Sequence, residues 1–231
     1  EIPDLKPPGD WCLKTGQSII QLLPLNDVGA NFRPYDAESS FALEPMHLSL
    51  ENLKEVDSTP FRSKIQALRK KYTSKDIWFD VRIKGEKLSI LYELFCEAGR
   101  KSSKDFDAFI QMHNSWLHDY ALFRVLKDKM AGQNWEAWPD AYRDREKKAL
   151  DALEKKEKKA LQFQKWLQWQ LHHQFVNTHK ALLDKGIFLM GDIPFLVSRD
   201  SADVWAQRKN FKLEFSSGAP PDLYFADGQE W

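Results

Sequence analysis

One order of elements occurs twice in this chain and constrains it more than any other feature: a helix, a glycine, a continuous apolar run, then a polar loop. In the first copy Asp10 to Thr15 reads as the last turns of a helix, Gly16 as its stop, and Ser18-Ile19-Ile20-Gln21-Leu22-Leu23-Pro24-Leu25 as the run. In the second copy Gly186 stops a helix and Ile187-Phe188-Leu189-Met190 follows, with Gly191-Asp192-Ile193-Pro194-Phe195 behind it. Glycine ends helices because it enters the left-handed region without a Cβ clash. An apolar run that does not alternate marks a strand covered on both faces, as in a parallel sheet. Two such units predict parallel α/β architecture.

Between the copies the pattern changes. Residues 26 to 47 read as a long loop carrying Asn26, Asp27, Gly29, Asn31, Pro34, Asp36, Ser39, Ser40 and Pro45. Loops at the carboxyl ends of buried parallel strands are where ligands sit. His47 to Leu50 is read as a short strand. From about residue 60 to 185 the apolar spacing is helical: Ile83, Leu88, Leu91, Leu94 and Phe95 recur on one face, as do Trp116, Leu117, Tyr120, Phe123 and Leu126. Trp135 to Pro139 interrupts the pattern. One long helix is expected from near Asp140 to Leu183. Its first half is charged, with Asp144, Asp151 and Glu154 placed to pair with Lys148, Lys155 and Lys158 four residues on. Its second half, from Phe163, is richer in aromatics and is expected to be more buried.

Composition narrows the function classes. Lysine plus arginine and aspartate plus glutamate both number 34, so net charge gives no reason to expect nucleic acid or an acidic membrane as partner. No apolar run approaches the roughly 20 residues that span a bilayer, and no charged-then-apolar leader opens the sequence. Cys12 and Cys96 are read as two thiols in a reducing compartment rather than a disulfide framework. A soluble cytoplasmic protein is expected. The nine tryptophans and fifteen phenylalanines are assigned mostly to the core, with two or three left as platforms for sugar rings.

Several residues are candidates for chemistry. Asp192 follows an apolar strand and a glycine, so it stands at a strand's carboxyl end, where a carboxylate either caps the loop or hydrogen-bonds a polar ligand. Asp200 or Ser201 reads as the N-cap of a helix entered at Val204-Trp205. Gly218-Ala219-Pro220-Pro221-Asp222 is a rigid turn or extended loop with Tyr224, Phe225 and Trp231 behind it, a candidate lid. His172 and His179 share a helix face, but metal-binding histidines on helices are more often four apart, and no carboxylate or cysteine cluster joins them. No metal or cofactor is expected. No glycine-rich phosphate loop and no Gly-x-Ser-x-Gly nucleophile motif is present.

Taken in order, these segments resemble one family. Gln17 to Asp27, Pro34-Tyr35-Asp36 and Ser39 to Pro45 are similar to the first third of the 4-α-glucanotransferases (amylomaltase or disproportionating enzyme, glycoside hydrolase family 77). So are Trp116-Leu117-His118-Asp119-Tyr120-Ala121-Leu122-Phe123, Trp135 to Pro139, Gly191 to Val197, Asp200 to Trp205, Pro220-Pro221-Asp222 and Gly228 to Trp231. The resemblance implies a partial TIM (β/α)8 barrel with a large helical insertion subdomain: residues 1–59 a barrel segment with a substrate loop, 60–185 the helical insertion, and 186–231 a barrel segment with the lid loop. It implies transfer of α-1,4-glucan segments between maltooligosaccharides or glucans, with retention, through a carboxylate nucleophile and a glutamic acid/base. It places Tyr35 and Asp192 at the donor sugar and Pro220, Pro221, Asp222 and Trp231 in the lid. The nucleophile and acid/base fall after the Trp231 position, so no catalytic residue is assigned within the chain. A complete barrel takes about 250 residues before insertions. The 231 residues alone are therefore expected to be inactive, with sheet edges prone to aggregate. Leu223 and the short stretch from Leu213 to Gly218 depart from the family pattern. An α-amylase-type hydrolase or a non-catalytic glucan-binding remnant are the alternatives; the helical insertion argues against the first.

Overall fold

The structure, a computed structural model, describes residues 1–73, 80–98 and 103–230. Helix α1 (Lys6–Thr15) ends at Gly16, whose φ of 73° is the left-handed stop expected there. Strand β1 (Ile19–Gln21) follows, and the stretch 26–47, expected to be all loop, holds the two-residue strand β2 (Asp36–Ala37) in its middle, formed because β4 offers it a parallel partner. A run of helices comes next: α2 (Arg62–Tyr72), α3 (Arg82–Ala98), α4 (Lys104–Met112), α5 (Asn114–Lys129), α6 (Asp140–Arg143), α7 (Lys147–Lys156) and α8 (Lys158–Leu183). The chain then returns to strands β3 (Phe188–Met190) and β4 (Leu196–Val197), the short helix α9 (Ala202–Ala206), and the hairpin β5 (Gly218–Ala219) and β6 (Gln229–Glu230). β1 pairs with β3 and β2 with β4, both in parallel; β5 and β6 are antiparallel.

The expected single helix from Asp140 to Leu183 is three helices. Arg145 sits at φ 57°, a conformation that costs a non-glycine residue on the order of 1 kcal/mol. Its guanidinium offsets this by bonding Asp119 at 2.5 Å and lying 4.2 Å from the Trp205 ring. Asp144 pairs with Arg143 and Arg208 instead of Lys148, and Glu154 faces His118. The second half of the segment is buried as expected, through Trp166, Leu167, Trp169 and Leu171.

His47 to Leu50 is not a strand. Pro45–His47 forms a 3-10 turn, and the Ser49 backbone finds its partner in a side chain, Gln174, rather than in a neighbouring strand. The two long apolar runs shorten to three-residue strands, and they are not covered on both faces. Ile19 is 55% exposed and Phe188 54% exposed, because β1 and β3 have only each other as partners among the described residues and packing lies on one side. That side is the small cluster of Cys12, Leu182 and Ile187.

The main core is one continuous cluster. It runs from Leu48, Leu50 and Leu53 through the helices to Ala202, Val204 and Trp205. α5 and α8 form its spine. At one end Phe123, Trp138 and Trp205 meet with ring centroids 5.6 to 6.1 Å apart, the two indoles edge to face and the Phe123 ring tilted against both.

Candidate carbohydrate site

Because β1 and β3 run parallel, the segments that leave their carboxyl ends emerge on one side, and each goes on to enter a strand of the β2–β4 pair. That topology carries Tyr35, just before β2, to Asp192, between β3 and β4. The Tyr35 hydroxyl donates to Asp192 Oδ2 at 2.5 Å, across 157 positions of sequence. The other oxygen, Oδ1, accepts the Ile193 N–H at 2.8 Å. Both donors favour the ionised form, and they hold the Asp192 carboxyl below its ordinary range; the same bond to Asp192 raises the Tyr35 phenol. The Tyr35 ring also packs on Phe195, 5.5 Å between centroids. Asp192 is solvent-facing and Gly191 has open space around it. An oriented carboxylate with unused lone pairs, beside a phenol and an exposed ring, can accept hydrogen bonds from a polyhydroxylated ligand and pack on its apolar face.

The lid candidates lie on the β5–β6 hairpin. Asp222 Oδ1 accepts from the N–H groups of Tyr224 and Phe225 at 2.7 and 2.8 Å, so its carboxylate shapes its own turn. Pro220 and Pro221 are exposed, as are Leu223 and Tyr224. Gly228, at φ 77°, lets the strands close; a Cβ there would meet Ala219 O at 2.8 Å. The structure thus joins Tyr35 to Asp192 and does not bring the Asp222 carboxylate to them. Trp231 lies outside the described residues. Ser201 is the N-cap of α9, accepting from Val204 N, while Asp200 binds Lys127 Nζ and Trp135 N.

Two supports of the loop that carries Tyr35 were not foreseen from the sequence. The first is a buried ionic cluster. Asp27 accepts from Tyr120 Oη at 2.8 Å, Lys84 Nζ at 3.2 Å and Gly29 N at 3.0 Å. Glu44 accepts from the same Lys84 at 2.9 Å, and Glu38 accepts from Arg124 at 2.6 Å. Burial alone would push Asp27 up, but Arg124 and Lys84, with the Tyr120 and Gly29 bonds, hold it far below the usual carboxylate range. Burial and then the Asp27 charge push Glu44 up. Part of the signal was available: Tyr120 and Lys127 are buried on α5 with the half-buried Arg124 between them, and a charge there needs a partner. The second support is a row of glutamines on α8. Gln168, Gln174 and Gln170 each accept one backbone N–H and return one donor to the carbonyl of the same residue, at Leu43, Ser49 and Lys54 respectively.

The sequence matches the family described as 4-alpha-glucanotransferase over residues 1–231. The chain belongs to that family. A 4-alpha-glucanotransferase of Chlamydia pneumoniae is 36% identical over 236 aligned residues, which take in all of this chain and 44% of that protein. The rice protein 4-alpha-glucanotransferase DPE2 is 29% identical, over all of this chain and 25% of its own length. The chain spans less than half the length of these curated relatives. Among solved structures, amylomaltase from Streptococcus agalactiae in complex with acarbose superposes with a TM-score of 0.77 at 23% identity, covering 96% of this chain and 46% of that one. Amylomaltase from Corynebacterium glutamicum gives 0.72 at 21% identity, over 96% of this chain and 32% of that one. The chain is a mixed helix–sheet structure with the fold of the amylomaltases over the matched part. Among the described residues no helix is long and apolar enough to cross a membrane, and no group of three or more His, Cys, Asp or Glu side chains could hold a metal ion.

Proposed function

We propose that these residues form the donor-sugar side of a 4-α-glucanotransferase that passes α-1,4-glucan segments between maltooligosaccharides or glucans. The observation that carries the proposal is the Tyr35–Asp192 pair on the carboxyl side of the parallel β1–β3 pair. Asp192, held ionised, accepts hydroxyl hydrogens of the donor ring; Tyr35 fixes the carboxylate's orientation and lends its ring edge. Binding that tightens as the ring gains positive character lowers the barrier of a retaining double displacement, whose nucleophile and acid/base belong to other carboxyl groups. Pro220, Pro221, Asp222 and Trp231 close over the acceptor side and keep water out, which favours transfer over hydrolysis.

The accompanying architecture is a partial (β/α)8 barrel, with barrel segments 1–59 and 186–231 and a helical insertion 60–185 that shares its core with them. The setting is cytoplasmic, in keeping with two unpaired thiols, Cys12 and Cys96. The test is Asp192→Ala in the enzyme that contains these residues. Disproportionation of maltotriose should fall about 100-fold or more while the unfolding midpoint stays put; near-normal kinetics would return Asp192 to a loop-capping role.

A further inference from the structure

The loop that presents Tyr35 carries a second aromatic feature six residues on. Phe41 is 60% exposed, and its ring stacks on Trp116 with centroids 5.9 Å apart and planes 15° from parallel. A single exposed apolar side chain is ordinary. This one differs in how it is held. Ser39 Oγ accepts the N–H groups of Phe41 and Ala42 at 3.2 and 3.1 Å. Ser40 is bound through both its N–H and its hydroxyl to Asp203, at 2.9 and 3.0 Å. Leu43 is clamped by Gln168, and Trp116 Nε1 reaches His113 Nδ1 at 3.4 Å. The backbone on both sides of an exposed ring is thus pinned, which lowers the entropy lost when something docks on it.

The stacked rings stand at the rim of a cavity of about 70 Å³ lined by Ser39, Ser115, Asp203 and Gln207 among others. Both Asp203 oxygens keep a lone pair beyond their bonds to Ser40, and the exposed Ser115 hydroxyl and Gln207 amide add donors and acceptors. The volume admits a hydroxymethyl group or one or two waters, not a whole sugar ring. A ligand that fits offers a flat C–H face to Phe41 and hydroxyls to the cavity mouth.

We infer that Phe41 and Trp116, with Asp203 and Gln207, form a second glucan-binding platform distinct from the Tyr35–Asp192 site. The choice of ligand class rests on the functional reading above; the platform itself rests on the geometry. A glucose ring lies on the open face of Phe41 with its hydroxymethyl group towards the cavity. A long glucan held there and at Tyr35–Asp192 gains from effective concentration, since Tyr35 and Phe41 stand six residues apart on one braced loop.

The test is calorimetric titration of the 231-residue protein with maltoheptaose, with circular dichroism as a check on folding. Asp192→Asn is expected to weaken binding but to leave the residual affinity of the platform; Phe41→Ala is expected to weaken binding about tenfold whether or not Asp192 is intact. Phe41→Leu, which keeps apolar bulk but removes the ring face, should weaken it nearly as much, so a folding defect in Phe41→Ala leaves the test intact. Binding lost in Asp192→Asn but kept in both Phe41 variants overturns the platform and leaves the functional reading standing. No binding by the wild type also overturns the platform, while the functional reading is still decided by the activity of Asp192→Ala.

Discussion

Trp205 and Phe188 are both large apolar residues in the returning part of the chain, and their surroundings are opposite. Trp205 is 0% exposed: Phe123 and Trp138 meet its ring, Arg145 lies on its face, and its Nε1–H donates to Tyr142 O at 3.0 Å. Phe188 begins β3 and leaves about half its surface in water. In the helical body each apolar stripe meets another, and most buried polar groups meet a partner, with His113 Nε2 and Arg145 Nη1 as exceptions among the described residues. In the β1–β3 pair one side rests on Cys12, Leu182 and Ile187, and the other is open. A run of apolar residues states a demand for cover on both faces; it does not name the segment that supplies it.

Three measurements would break or sharpen that contrast. The largest effect is expected from Trp205→Ala, which empties the centre of the aromatic cluster and strands the Arg145 guanidinium; the loss should be about 3–5 kcal/mol, seen as a lower denaturant midpoint. A loss below about 1 kcal/mol would mean that the cluster is loosely packed. The next concerns His47, on the turn where the loop joins the helices. Burial, then the charges of the N-terminal ammonium, Lys87 and Lys84, hold it down from 6.5 to about 4. The unfolded chain therefore binds this proton more readily than the folded one. The stability His47 contributes is present above pH 6.5 and is lost as pH falls towards 4, by on the order of 2 kcal/mol. His47→Gln should flatten that part of the stability–pH curve; an unchanged slope would assign it to other groups. The smallest effect belongs to Phe188→Ser, expected within about 0.5 kcal/mol because the side chain is already half in water. A cost of 2 kcal/mol or more would show that this face is covered in solution.

Local signals were legible where one residue decides the outcome. Gly16 and Gly186 adopt the left-handed stop, Ser201 caps α9, and Trp135 to Pro139 interrupts the helices as the pattern indicates. The motif order placed Tyr35 and Asp192 in one family pattern, and the fold joins them by a hydrogen bond. What could not be read depends on partners distant in sequence. The break after α6 needs Asp119 and Trp205 to hold Arg145 at a positive φ. The missing strand at His47 to Leu50 follows from Gln174, 125 positions from Ser49, taking both of that residue's backbone groups. The charges on α5 announced that partners were needed, but the ionic cluster at Asp27 takes shape only once α3 and α5 deliver Lys84 and Arg124 to it.

The three glutamines of α8 act as a ruler laid against the chain from Leu43 to Lys54. Each reads backbone amides and carbonyls, which every residue except proline offers alike, so these six bonds depend less on which side chains stand at Leu43, Ser49 and Lys54 than on how many residues lie between them. An exposed position of this stretch such as Glu51 can change over evolutionary time without moving the loop, whereas Glu44, Leu48, Leu50 and Leu53 are also held by their side chains. The gain or loss of a single residue there would put the marks out of step and shift everything that the loop presents.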